Sequence, residues 1–105
     1  MSDSEKLPFQ EAPANPEFEA QVPRFLQKRL QELLEIQRAH REGDFETLSS
    51  IAHKWIDFSA PYGFGYLETL AIELENEALR ENAAQCEEVL HEIERYLAQK
   101  KLTLT

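Results

Sequence analysis

The chain has 105 residues, 42% of them hydrophobic, which is enough for one domain with a single core and too few for a second domain. Twenty acidic residues against eleven basic ones give a formal net charge of −9, which repels nucleic-acid backbones and anionic membrane surfaces. With a single cysteine, no signal-peptide pattern and no apolar span of about 18 residues, we expect a cytoplasmic protein without an internal disulfide.

The predicted elements begin after an N-terminal arm, residues 1–14. Because it has two prolines and no sustained hydrophobic period, we interpret this arm as flexible or loosely draped over the domain, and residues 15–105 as the single domain. Asn15 followed by Pro16 is typical of a helix start, and it predicts a short helix through about Gln21. A proline two residues later is expected to end or kink that short helix.

Two long amphipathic helices follow, at residues 23–41 and 44–60, and Gly43 with Asp44 supplies a terminator and an N-cap between them. Such a short connection predicts antiparallel neighbours. The apolar face of the first helix is predicted to contain Phe25, Leu26, Leu30, Leu33, Leu34 and Ile36. The apolar face of the second is predicted to contain Phe45, Leu48, Ile51, Ala52, Trp55 and Phe58.

A turn over residues 60–65 precedes two further helices. The first is predicted over residues 64–81, and the second begins at the capping pattern Asn82 to Gln85 and frays near Lys101. Because no segment has a sustained strand period, we predict an all-α fold: an antiparallel up-down-up-down four-helix bundle with a short additional N-terminal helix. The aromatic residues near the turn are interpreted as the end of the core, with a docking patch as the alternative. They are Trp55, Phe58, Tyr62, Phe64 and Tyr66.

His53 is the histidine that the helical pattern singles out. At about 100° per residue it lies roughly 150° from the centre of its helix's apolar stripe, which predicts an exposed imidazole that can present a ring nitrogen to a partner. His40 is expected to interact with carbonyls at the end of its own helix, and His91 to lie at the boundary of the core. The histidines share no metal-ligand spacing, so we predict no metal site. Cys86 lies on an apolar stripe and predicts a buried, unreactive thiol.

The surroundings of His53 follow a particular layout. Gly43 and Asp44 introduce its helix, and Gly63 follows ten residues after the histidine. Further matching positions are Leu48, Ala52, Leu67, Leu70, Leu74 and Glu75. In this register the segment resembles the histidine-containing phosphotransfer (HPt) domain family of phosphorelays, and the likeness in helix layout extends over most of residues 22–100.

The resemblance implies that His53 accepts a phosphoryl group from a receiver-domain aspartyl phosphate and passes it to another receiver aspartate. The implied partners are a response-regulator receiver domain, a hybrid histidine kinase, or both. The receiver would contribute its own Mg²⁺ and lysine, so we expect no cofactor in this chain and no stand-alone kinase or hydrolase activity.

Two positions after His53 depart from the family, which usually has lysine three residues and glycine four residues after the histidine. Here Ile56 supplies no positive charge, and Asp57 would repel a phosphoryl group and fill space needed for docking; alternatively, Asp57 fixes the imidazole tautomer by a hydrogen bond. Lys54 is a candidate substitute cation, although adjacent helical positions diverge by about 100°. Ser49, one turn before the histidine, is interpreted as bordering the docking surface, donating to phosphate, or simply exposed.

The departures leave two other functional interpretations. The first is a divergent HPt-like binding module that docks a receiver or a histidine kinase without carrying phosphate. The second is an unrelated helical adaptor in which the position of the histidine is accidental.

Overall fold

The computed structural model describes residues 11–104, which form four α-helices and two short 3-10 segments with no strand among them. This confirms the predicted all-α class. The α-helices are α1 (Val22–Arg41), α2 (Phe45–Phe58), α3 (Gly65–Leu79) and α4 (Ala83–Leu104). The 3-10 segments are Pro16–Gln21 and Ala60–Tyr62.

The ends of the helices confirm one prediction and correct another. The short N-terminal helix ends at Gln21 as predicted, as a 3-10 segment, and Pro23 lies in the first turn of α1, where a missing backbone donor has no intrahelical partner to lose. Helix α4 continues to Leu104 rather than fraying near Lys101. The start of α4 is as predicted, because the Asn82 side chain accepts a hydrogen bond from the backbone of Gln85 at 3.2 Å.

One hydrophobic core lies between the four helices, since α1 contacts α2 and α4, and α3 contacts the same two helices. The stripe predicted for α2 is confirmed. On α1, however, Leu34 is 67% exposed, and the prediction that it faces the core was wrong. Arg29 is buried on the core-facing side of α1 instead. The core's most completely buried hydrophobic residues include Ile36, Leu48, Trp55, Phe64, Leu67, Leu74, Ile93 and Leu97.

Two glycines adopt left-handed backbone conformations at the ends of helices. Gly43, with φ +69°, ends the turn after α1, and the Asp44 side chain then accepts a hydrogen bond from the backbone of Thr47 at 3.1 Å. Gly63, with φ +87°, is also tightly packed, because a Cβ there would lie 2.8 Å from the backbone nitrogen of Ala14. These turns fix where α2 begins and where α3 follows it.

The predicted flexible arm lies mostly outside the described residues, which begin at Glu11. From that point the chain packs against α3 and α4. The Glu11 carboxylate accepts hydrogen bonds from the Tyr96 hydroxyl at 2.9 Å, from the Lys100 ammonium at 2.9 Å and from the backbone of Tyr66 at 2.7 Å. Burial, and then the negative charge of Glu11, raises the pKa of Tyr96, which keeps this hydroxyl a donor.

Candidate functional site

His53 projects from α2 into solvent, as predicted. Helix α2 buries Leu48, Ile51, Ala52 and Trp55 on one side, whereas 65% of the His53 side chain is exposed. The imidazole is therefore accessible to a second molecule. Its backbone belongs to a helix that is held on two sides by α1 and α3, which gives the ring a rigid base.

A carboxylate from the neighbouring helix contacts the ring. His53 Nδ1 lies 2.9 Å from Glu75 Oε2 of α3, and the Glu75 side chain is half-buried. An ionised carboxylate only accepts hydrogen bonds, so we assign the proton to Nδ1. In the neutral ring this leaves a lone pair on Nε2, which has no hydrogen-bond partner among residues 11–104. The geometry thus leaves one nucleophilic nitrogen unpaired on an exposed side chain.

Two of the predicted neighbours have other roles. Asp57 is exposed and makes no hydrogen bond to the ring, so the interpretation that Asp57 fixes the tautomer was wrong; Glu75 makes that contact. Lys54 extends towards α1, where its ammonium lies 3.5 Å from Glu32 Oε2. Since Lys54 is paired on the α1 side of α2, it does not replace the missing cation beside His53.

The two remaining predicted neighbours, Ser49 and Ile56, make no hydrogen bond to the ring. Ser49 is partly buried, and its hydroxyl donates to the backbone carbonyl of Glu46 at 3.1 Å, a local bond within α2. Ile56 is half-buried and packs against the core. Its side chain therefore contributes to stability at the position where the HPt family usually has a lysine.

Sequence reasoning missed a buried polar cluster between α1 and α2. Glu32 accepts hydrogen bonds from the Trp55 indole and from Arg29 Nε, each at 2.7 Å. Burial by itself raises the pKa of Glu32, but the hydrogen bond from Trp55 and the charges of Arg29 and Lys54 outweigh it, so the pKa is lowered. A sequence signal existed: an Arg and a Glu three residues apart on a helix can pair, although nothing in the sequence places them inside.

The other candidate residues lie away from His53. His40 Nε2 is 3.0 Å from the carbonyl of Ala83 in α4. The prediction that His40 interacts with a carbonyl of its own helix was therefore wrong. His91 is 69% exposed rather than at the boundary of the core, and Glu87 is 4.0 Å away. Cys86 is buried as predicted, and burial together with the charge of Glu77 raises the pKa of its thiol.

Among residues 11–104, no group of three or more His, Cys, Asp or Glu side chains could hold a metal ion, and no helix is long and apolar enough to cross a bilayer.

Comparison with known proteins finds no relative: no family model, no curated protein and no solved structure matches this chain.

Proposed function

We propose that this chain is a cytoplasmic phosphorelay intermediate similar to HPt domains, in which His53 exchanges a phosphoryl group with receiver-domain aspartates. The observation that carries the proposal is the exposed imidazole, with Nδ1 bound to Glu75 and Nε2 without a hydrogen-bond partner among residues 11–104. The partners are a response-regulator receiver domain, a hybrid histidine kinase, or both. Because receiver domains bring their own Mg²⁺ and lysine, this chain needs only to present the nucleophile.

The proposal includes an antiparallel up-down-up-down arrangement of the four helices. The contacts between helix ends support it. Phe25 near the start of α1 stacks on Tyr62 just after α2, with ring centroids 4.3 Å apart. At the opposite end of α1, His40 contacts Ala83 at the start of α4. Both contacts are expected if each helix reverses the direction of the one before it.

In the proposed reaction, the lone pair of His53 Nε2 attacks phosphorus in line with the bond to the aspartyl oxygen. The N–P bond forms as that P–O bond breaks, and the aspartate leaves as a carboxylate. The imidazole, still protonated at Nδ1, becomes positively charged, and the Glu75 carboxylate stabilises this charge. The reverse step returns the phosphoryl group to a second receiver.

The test is incubation of the full chain with phosphoramidate and with a panel of phosphorylated receivers. We expect a label that is stable in base and lost in acid, as phosphohistidine is. His53→Gln should abolish it. His91→Gln is the matched control, because His91 has similar exposure and also has a neighbouring glutamate, so this variant should keep full labelling. Absence of label across all donors, or equal labelling of the His53→Gln variant, would contradict the proposal.

A second function is supported by Ile56 and Asp57, the two departures from the HPt pattern. In this alternative the domain docks a receiver or a histidine kinase without carrying phosphate. Pulldown of a receiver by both wild type and His53→Ala, with no phosphate transfer by either, would support the binding module. Binding that requires His53 would argue against it.

A further inference from the structure

A groove of about 620 Å³ lies between α1 and α2, on the side of α2 that carries Lys54. The aromatic rings of Phe25, Phe58 and Tyr62 line it. Phe25 stacks on Tyr62 and meets Phe58 edge to face, with centroids 4.3 and 6.0 Å apart. These contacts hold the rings in place, so the groove has a preformed apolar surface.

The buried guanidinium of Arg29 also lines the groove. Arg29 is only 4% exposed, and its guanidinium carbon lies 4.5 Å from the Phe25 centroid and 5.0 Å from the Phe58 centroid. Its Nε donates to Glu32, but the two terminal nitrogens have no hydrogen-bond partner among residues 11–104. Every fully buried side-chain nitrogen among residues 11–104 has a hydrogen-bond partner. The terminal nitrogens of Arg29 have none, so they are not fully buried and can be reached from the groove.

The charge around the groove is opposite to that of the chain as a whole. Arg24, Lys28, Arg29 and Lys54 line it, against the single acid Glu32. The whole sequence, by contrast, has twenty acidic and eleven basic residues. Arg24 and Lys28 make no hydrogen bond or ion pair with any described residue. An anion entering the groove would therefore find the unpaired cations of Arg24 and Lys28 at the rim, and the two terminal nitrogens of Arg29 deeper in the groove.

We propose that this groove is a binding site for a small organic anion, one carboxylate or phosphate group attached to a flat apolar body. The anionic group pairs with Arg29 and the rim cations, and the apolar body packs against the partly exposed side chains of Phe58 and Tyr62. The volume is that of a small-molecule site. The site is separate from His53, whose side chain contacts α3 rather than α1.

The test is an NMR titration of the full chain with phenyl phosphate and with phenylacetate. Saturable shifts centred on Arg29, Phe58 and Tyr62 are expected for at least one of them, and the stronger binder identifies the anionic group. Inorganic phosphate and benzyl alcohol each supply only half of the contacts, so each should bind at least about tenfold more weakly. Equal binding of benzyl alcohol or of inorganic phosphate would overturn the proposal, as would shifts centred elsewhere or none at all.

Two double variants of α1 distinguish binding in the groove from a nonspecific effect of positive charge. Arg24→Ala with Lys28→Ala should weaken binding by at least about fivefold, since these cations lie at the rim. Arg38→Ala with Arg41→Ala removes the same charge near the other end of the helix and should change affinity by less than about twofold. Equal losses in the two variants would contradict a specific site. His53→Gln should bind phenyl phosphate with unchanged affinity, whatever the outcome of the phosphorelay test.

Discussion

Replacing Glu75 with glutamine tests whether its carboxylate stabilises the imidazolium that would form if His53 takes up a phosphoryl group, as proposed. The two side chains are 2.9 Å apart, and unit charges at this distance interact by about 6 kcal/mol at an effective dielectric constant of 20. Because 65% of the His53 side chain and 24% of the Glu75 side chain are exposed, solvent screening reduces the expected contribution to about 1 kcal/mol. We therefore expect Glu75→Gln to slow phosphorylation by about fivefold.

The assay is the initial rate of acid-labile label formation from one phosphorylated receiver. Glu73→Gln is the matched control, since it removes the same charge from an exposed position on α3. If Glu75→Gln reacts at the wild-type rate, or if both variants slow equally, the argument for Glu75 fails. The position of the phosphoryl group is a second readout: NMR should show phosphate on Nε2, and phosphate on Nδ1 would refute the assigned tautomer.

Three further predictions concern stability and the departures from the HPt pattern. Gly63→Ala should lower the free energy of unfolding by about 2 kcal/mol, which corresponds to a fall in Tm of roughly 8 to 16 °C in thermal melts. Gly43 has a similar backbone angle but no neighbour within 4 Å, so Gly43→Ala should lower it by about half as much. Equal losses in the two variants would refute the close packing at Gly63. The pKa of Glu32 is lowered below its usual 4.5, so its stabilising effect is present above that pH and is lost as the pH falls through the folded-state pKa. In urea titrations, the difference in unfolding free energy between wild type and Glu32→Gln should therefore shrink below pH 4.5. Ile56→Lys combined with Asp57→Gly should raise the phosphorylation rate by roughly fivefold. Because Ile56 packs against the core, no gain in a variant that thermal melts show to be folded would indicate that these residues do not limit transfer.

The exposure of His53 and the packing of α2 could be predicted because one helix supplies all the information. Its apolar residues recur at the helical period, and they are buried where that period places them. The left-handed turn at Gly43 and the cap at Asp44 are equally local, and both are present. Such features depend on residues within a few positions of one another, so the sequence determines them without knowledge of the partner helices.

Contacts between helices could not be predicted in the same way. Glu75 lies 22 residues from His53 in the sequence. The sequence shows that this residue is acidic, but it does not give the distance between the two side chains. The error at Leu34 has a related cause. Hydrophobicity favours burying Leu34 over Arg29, but Arg29 is stabilised inside by Glu32 and by two aromatic rings, none of which is apparent from periodicity.

Helix α2 presents two ionic contacts on different sides, and their separation affects the proposed chemistry. His53 contacts Glu75 of α3, while its neighbour Lys54 pairs with Glu32 of α1. Adjacent helical residues diverge by about 100°, so the lysine ammonium is directed away from the His53 ring. In the proposed transfer, the carboxylate near the ring would stabilise the imidazolium but repel the phosphoryl oxygens, and no cation of α2 would offset that repulsion. A docked receiver with Mg²⁺ would supply this positive charge, whereas phosphoramidate alone would not. Transfer from a cognate receiver should therefore exceed labelling by phosphoramidate by a larger factor in wild type than in Ile56→Lys.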